Sequence, residues 1–129
     1  MNKNIPAPST LEEAMVTFTK LLTTEEQVDF ARMSEDEIGR LHMGFGMWLR
    51  NNWGLWDENS DMCKHMKSLG FIHPDDMSHS LMREFWARMN KLPSKLAEEI
   101  KYYQEYWAEQ TGLTTHTVDG FTIIKGTEK

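Results

Sequence analysis

A broad apolar stripe between residues 78 and 89 constrains the fold of this chain more than any other feature. The stripe recurs at helical spacing and comprises Ser78, Leu81, Met82, Phe85, Trp86 and Met89. Residues three and four apart share one side of an α-helix, so the pattern predicts a helix with a wide buried face. The helix starts in the run His73–Asp76, because proline suits the first turn and aspartates suit the positive end of the helix dipole. Pro93 ends it.

Cap residues and shorter apolar patterns predict further helices on both sides of this one. The predicted N-caps are Ser9 or Thr10, Thr24, Ser34, Asp57 or Ser60, and Ser94. The predicted inward-facing residues are Leu11, Met15, Phe18 and Leu22; Val28 and Ala31; Ile38, Leu41, Phe45, Trp48 and Leu49; Met62, Met66 and Leu69; and Leu96, Ile100, Tyr103 and Trp107. Glu37 lies three residues after Ser34, so these two residues are predicted to form a capping box.

Glycines mark two of the predicted helix ends. Gly70 ends the fourth helix and Gly112 ends the last helix, and the segment Phe71–Ile72 folds back over the fourth helix. The fold class is therefore all-α, a compact single-domain array of five to six helices.

The helical period is lost after Gly112. The run Val118–Phe121 reads VDGF and is typical of a two-residue hairpin turn. We therefore expect a helical domain over residues 1–112 and a tail or C-terminal β-hairpin over residues 113–129, appended to the same domain. An isolated hairpin is marginal in water, so this segment must pack on the helices, join a partner's sheet or stay disordered.

The charge distribution excludes some classes of partner. The net charge is −6, and residues 1–40 hold four basic against eight acidic residues, a balance of −4. Nucleic-acid binding requires a basic patch, which this chain lacks, so we expect no nucleic-acid partner. The acidic N-terminal third either faces a basic partner or is a solvated helix surface.

Three features favour a cytoplasmic protein with no membrane partner. No apolar run is long enough to span a bilayer. The N-terminal sequence MNKNIPAPST lacks the apolar core of a signal peptide. A single cysteine, Cys63, cannot form an internal disulfide.

The stretch Leu41–Trp56, LHMGFGMWLRNNWGLW, is unusually dense in tryptophan, glycine and polar residues. Gly44 and Gly46 fall inside a predicted helix, where each costs about 1 kcal/mol relative to alanine. They indicate that another helix crosses closely there or that a ligand approaches the backbone. With the start of the helix at His73, this stretch supplies the candidate binding residues Trp48, Arg50, Asn51, Asn52, Trp53, Trp56, His73, Asp75 and Asp76.

Two interpretations of these candidates remain open. Arginine binds a carboxylate or phosphate through two parallel hydrogen bonds, and tryptophan stacks on bases or cations. A nucleotide-like ligand could therefore lie in a pocket between Trp48–Trp56 and His73–Asp76. Alternatively, Arg50 pairs with Asp75 or Asp76 and ties two helices together, while the asparagines cap a helix and the indoles fill the core. The structural alternative is favoured, because buried polar groups need partners.

Metal binding and catalysis are poorly supported. The histidines and aspartates of residues 73–79 share a helix face, but a metal site would need a further ligand such as His42 or His65. No HExxH or paired-cysteine pattern is present. Cys63 is flanked by Lys64 and His65, yet neighbours on a helix point apart. We expect no metal, no cofactor, no catalytic residue and no enzymatic activity.

Three blocks of the sequence, LHMGFGMWLRNNWGLW, LGFIHPDDMS and KLAEEIKYYQEYW, resemble an uncharacterised family of small bacterial and phage proteins. Its members carry an LHxGxGMWxRNNWGLW block, an HPDDMS block and an IKYY-like final helix. The resemblance covers about residues 30–107 and leaves out the first helix and the tail from Gly112. It implies a bacterial or phage setting, where small proteins of this kind often act in conflict systems, and it implies no established activity.

These observations predict a non-enzymatic protein-interaction or inhibitory module that binds a protein partner through an aromatic and acidic helical surface. The final helix adds an aromatic face made of Tyr102, Tyr103, Tyr106 and Trp107, which suits the core or an oligomer contact. A homo-oligomer is a further expectation. The alternative is a small-ligand, nucleotide-like binding protein that uses the pocket described above.

Overall fold

The computed structural model describes residues 1–110 and the backbone of residues 113–118 and 121–126. The helices in chain order are α1 Leu11–Leu21, α2 Thr24–Arg32, α3 Glu35–Gly39, a 3₁₀ turn Arg40–Met43, α4 Phe45–Asn52, α5 Asp61–Leu69, α6 Pro74–Met89 and α7 Leu96–Gln110. The part of the chain that forms the fold's core is therefore all-α. It holds seven α-helices rather than the five to six that the sequence predicted.

The extra helix arises because the predicted third helix is broken. The sequence predicted one helix from Ser34 through the apolar residues up to Leu49. Instead α3 ends at Gly39, the 3₁₀ turn follows, and Gly44 is the residue before α4. Glycine lowers helix propensity by about 1 kcal/mol, so a segment with glycines at 39, 44 and 46 loses little when the helix is interrupted. The break gives α4 a direction of its own, and it packs against α6.

Helix α6 is the centre of the fold, as its apolar stripe predicted. It packs against α1, α2, α3, α4 and α7. Polar residues outside the stripe are buried as well, because neighbouring helices cover most of the surface of α6. Its buried residues are Met77, Ser78, Ser80, Leu81, Met82, Arg83, Glu84, Phe85, Trp86 and Ala87. Aromatic rings join this helix to α1, since the Phe18 and Phe85 centroids lie 4.7 Å apart.

The predicted inner face of α2 was wrong at Val28, whereas Ala31 is partly buried. Val28 is 42% exposed, whereas Phe30 is 5% exposed and contacts the core. Residues two apart on a helix are separated by about 200°, so burying the larger aromatic ring turns Val28 outward. The cap also shifts by one residue: Thr23 rather than Thr24 forms it, in a capping box with Glu26.

Helix α5 begins and ends where the sequence indicated. Ser60 is its N-cap, and Gly70 closes it in a left-handed conformation. Phe71 folds back and is buried, and its N–H donates to the carbonyl oxygen of Met66. Leu69 was predicted to lie inward, and Ile72 was predicted to fold back with Phe71 over the helix end. Both are exposed instead, because the turn at Gly70 lets Phe71 alone cover that end.

Two extended segments follow the helices. β1 Leu113–Val118 and β2 Phe121–Gly126 pair antiparallel. The predicted helix end at Gly112 and the predicted turn at Asp119–Gly120 lie outside the described residues, so the hairpin as a packed unit stays a prediction. Among the described helices, none is long and apolar enough to cross a membrane.

Replacing Gly70 by alanine should lower the free energy of unfolding by about 2 kcal/mol. Gly70 has φ of +114°, and an added Cβ would lie 2.8 Å from both Ile100 Cγ2 and Gln104 Nε2 of α7. Chemical denaturation followed by circular dichroism measures the loss. Gly39→Ala is the matched control: its φ is −60°, and its Cβ would meet only His79 at 3.9 Å. An equal loss in both variants would contradict the explanation.

Candidate functional site

Arg50 is a buried side chain that links three elements: α4, the 3₁₀ turn and α6. Its side chain is 4% exposed. Nη1 donates to Ser78 Oγ at 2.9 Å, and Nη2 donates to the carbonyl oxygen of His42 at 2.9 Å. Its Nε lies 3.4 Å from Asp75 Oδ1. The Arg50 guanidinium group therefore binds groups of its own chain and connects α4 to the 3₁₀ turn and to α6, as the structural interpretation of the sequence expected.

Gly46 leaves room for the Arg50 side chain. A Cβ at this position would lie 3.1 Å from Arg50 Nη1, 3.2 Å from the Leu41 carbonyl oxygen and 3.3 Å from Met82 Cε. These contacts are close, so α4 needs a residue without a side chain to approach α6 and to admit the guanidinium group. The glycine therefore serves close packing, the first of the two uses that the sequence indicated.

The candidate tryptophans occupy three different environments. Trp53 is 2% exposed and lies in the core. Trp48 is half-buried, with its ring centroid 6.2 Å from that of Phe45. Trp56 follows α4 and is 56% exposed. Only Trp56 of the three is therefore presented to solvent as a large aromatic surface.

The two asparagines lie at the exposed end of α4. Asn52 Nδ2 donates to the carbonyl oxygen of Trp48 at 2.8 Å, one helical turn back. This bond satisfies an end carbonyl of the helix, as the capping interpretation expected. Asn51 is exposed and makes no side-chain hydrogen bond within the described residues.

Four rings form a continuous line at one end of the molecule. The centroids of Trp56 and His73 lie 5.5 Å apart, His73 stacks on Trp107 at 4.9 Å with an interplanar angle of 10°, and Trp107 contacts Tyr106 at 5.1 Å. We call Trp56, His73, Trp107 and Tyr106 the aromatic row. Three separate elements supply it: the loop after α4, the start of α6 and the last turns of α7.

Two hydrogen bonds fix the middle of the aromatic row. His73 is the N-cap of α6, and its Nδ1 accepts the N–H of Asp75 at 3.0 Å. Trp107 Nε1 donates to Asp76 Oδ2 at 2.7 Å. Burial raises the pKa of Asp76, and the bond from Trp107 acts in the opposite direction. The predicted residues His73 and Asp76 thus position aromatic rings, while Asp75 faces Arg50.

A cavity of about 310 Å³ lies on the other side of the two aspartates. Its lining residues are Gly39, His42, Asp75, Asp76, His79, Met82 and Tyr103. The predicted pocket lay between Trp48–Trp56 and His73–Asp76, whereas this cavity borders the 3₁₀ turn and α7. Burial lowers the pKa of His79, so its imidazole is neutral at pH 7. In the part of the chain that is described, no group of three histidine, cysteine or acidic residues could hold a metal ion.

A buried polar cluster between α6 and α7 was missed from the sequence. Glu99 Oε2 lies 3.7 Å from His79 Nε2, and Arg83 Nε donates to Glu35 Oε1 at 2.7 Å. Burial raises the pKa of Glu99 to about 7. Ser80 Oγ, Arg83 Nη1 and Glu99 Oε1 are buried without a hydrogen-bond partner within residues 1–110. One signal was available, since Glu99 is spaced to fall on the predicted apolar face of α7.

Cys63 is unsuited to nucleophilic chemistry. It is 1% exposed within the core, and burial raises the pKa of its thiol. A neutral, enclosed thiol is a poor nucleophile, because the thiolate is the reactive form.

A family model matches residues 7–89 of the chain, more than half of its length, and is described as a domain of unknown function, DUF6794. No curated protein and no solved structure matches it. The match begins before α1 and ends with α6, which corrects the expected coverage of about residues 30–107: α1 belongs to the family's domain and α7 follows it. Arg50, Trp56 and His73 lie inside the matched range. The chain therefore belongs to the DUF6794 family.

Proposed function

We propose that this protein is a non-enzymatic protein-interaction module whose docking surface is the aromatic row. One observation carries the proposal. Trp56 is 56% exposed, although tryptophan is among the residues that contribute most binding energy at protein interfaces. Within the described residues, the Trp56 ring contacts His73 at one edge and lies outside the hydrophobic core.

The aromatic row has the other properties of an interface anchor. Its two middle rings, Trp107 and His73, are held by Asp76 and by the cap of α6, so these two side chains lose little entropy on binding. Tyr106 is 42% exposed, and Tyr102, one turn earlier on α7, is 64% exposed. Tyrosine and tryptophan combine a large apolar area with a hydrogen-bonding group. They therefore suit a surface that is exposed to water in the free protein and is desolvated on binding.

The nucleotide-like alternative has less support. It required Arg50 to grip an anionic group, but Ser78, His42 and Asp75 occupy that guanidinium group. The cavity beside Asp75 is also bordered by two carboxylates, which repel phosphate. The proposal includes the setting that the resemblance implies: a bacterial or phage protein that inhibits its partner.

Replacing Trp56 by alanine should weaken binding of the partner at least about 30-fold, about 2 kcal/mol. The free energy of unfolding should change by less than about 0.5 kcal/mol, because the ring lies outside the core. The full chain is used as bait in the cells that produce it, captured proteins are quantified by mass spectrometry, and affinity is then measured with the purified partner.

Met43→Ala is the matched control, since Met43 is 68% exposed in the 3₁₀ turn and outside the aromatic row. A specific partner is one whose capture depends on Trp56 and not on Met43. The proposal is wrong if no captured protein behaves in this way. Sedimentation of the purified chain shows whether that partner is a second copy.

A further inference from the structure

The solvent face of α7 combines tyrosines with carboxylates. Its exposed tyrosines and charged residues are Glu98, Lys101, Tyr102, Glu105, Tyr106 and Glu109. Glu105 and Glu109 stand four residues apart, and Tyr106, a member of the aromatic row, lies between them in the sequence. This face therefore carries three negative charges against one positive charge, directly beside the exposed rings.

Among the described residues, no cationic side chain pairs with these carboxylates. Within the described residues, Glu98, Glu105 and Glu109 form no ion pair, whereas other exposed glutamates do: Glu12 with Arg88 and Glu58 with Lys67. Like charges at a spacing of four residues destabilise an isolated helix by a few tenths of a kcal/mol. The arrangement on α7 is thus mildly unfavourable to the free protein.

Acidic residues also lie beside the other end of the aromatic row, at Trp56. Trp56 is followed directly by Asp57 and Glu58, and Asp61 begins α5. All three acidic residues are exposed, and Lys67 is the cation that lies against Glu58, at 3.2 Å. Acidic side chains therefore flank the row from both the loop after α4 and the face of α7.

Exposed aromatic rings lie here beside carboxylates, of which Glu105 and Glu109 form no ion pair within the described residues, and this combination matches one kind of partner. A guanidinium or ammonium group can lie over a tyrosine or tryptophan ring and pair with a neighbouring carboxylate at the same time. Acidic partners, including nucleic acids, are repelled by the same surface. We propose that the aromatic row, with Glu105 and Glu109, docks a segment of a partner protein that is rich in arginine and lysine. This inference rests on the proposed function and adds the chemistry of the partner.

The experiment uses two labelled synthetic peptides of equal length, one alternating arginine and leucine and one alternating glutamate and leucine. Fluorescence anisotropy measures their binding to the full chain at low and at physiological salt. We expect the arginine peptide to bind, with an affinity that falls as salt rises, and the glutamate peptide not to bind. The double variant Glu105→Gln, Glu109→Gln should weaken the arginine peptide about fivefold.

A second double variant, Glu25→Gln with Asp29→Asn, is the control. It removes the same charge from exposed positions of α2 and should leave the affinity unchanged. The inference is overturned if both double variants act equally, if the glutamate peptide or a single-stranded oligonucleotide binds better, or if no peptide binds. Capture of the native partner separates the two proposals. If its capture requires Trp56 but not Glu105 and Glu109, the protein is an interaction module, and the proposal that its partner supplies a basic segment is rejected.

Discussion

Arg50→Ala should lower the free energy of unfolding by about 3 kcal/mol. The substitution removes a guanidinium group that is 4% exposed and that joins α4 to the 3₁₀ turn and to α6. It leaves a cavity beside Gly46 and takes a hydrogen-bond donor from the buried Ser78 and from the carbonyl oxygen of His42. Asp75 is 40% exposed, so water replaces part of its lost interaction and limits the cost. Chemical denaturation gives the free energy.

Lys67→Ala is the control for this experiment. Lys67 Nζ lies 3.2 Å from Glu58 Oε1, but the side chains are 42% and 81% exposed. The loss should be below about 1 kcal/mol, since exposed ion pairs contribute little. If the Arg50→Ala variant instead kept its stability and no longer bound the partner protein, Arg50 would be a binding residue. Its assignment as a structural link between helices would then be wrong.

Glu99→Gln should stabilise the protein at pH 8 by about 3 kcal/mol and remove a pH dependence. Burial raises the pKa of Glu99 to about 7, so the folded protein holds this proton more tightly than the unfolded chain does. The contribution of Glu99 to stability is fully present below about pH 4.3, its unfolded pKa, and is lost as the pH rises through about 7. Glutamine mimics the protonated form at every pH.

Thermal or chemical unfolding between pH 4.5 and pH 8.5 measures this effect as the difference between the natural chain and the variant. Asp76, whose pKa burial also raises, is present in both proteins, so its contribution cancels to first order. Glu105→Gln, an exposed position on the same helix, should show no such difference. Parallel stability profiles for the natural chain and Glu99→Gln would contradict the buried environment assigned to Glu99.

The sequence was most informative where local patterns are strong. The stripe from Ser78 to Met89 predicted the central helix, and the caps at Thr10, Ser60 and Gly70 were correctly placed. Each of these depends on residues within one or two turns of each other. The site was predicted less well. Arg50 has the intramolecular partners that the structural interpretation expected, but only Trp56 among the three candidate tryptophans is presented to solvent.

The errors share one physical origin. Helix α2 buries Phe30 rather than Val28, because the neighbouring helices decide which side chains find space. The predicted third helix is interrupted between Gly39 and α4, where glycines make the interruption cost little and the packing of α4 against α6 favours it. Periodicity places Glu99 on the apolar face of α7 but cannot identify its neighbours, since His79 and Arg83 belong to another helix, α6.

The sequence by itself determined that this protein is helical, which helix is central and where most helices begin, since these follow from hydrogen bonding and side-chain spacing along a short segment. Tertiary structure decided the break before α4, the burial of Glu99 and the assembly of Trp56, His73, Trp107 and Tyr106 into one row. These features join residues up to about fifty positions apart, and their energies depend on contacts that exist only after the helices have packed.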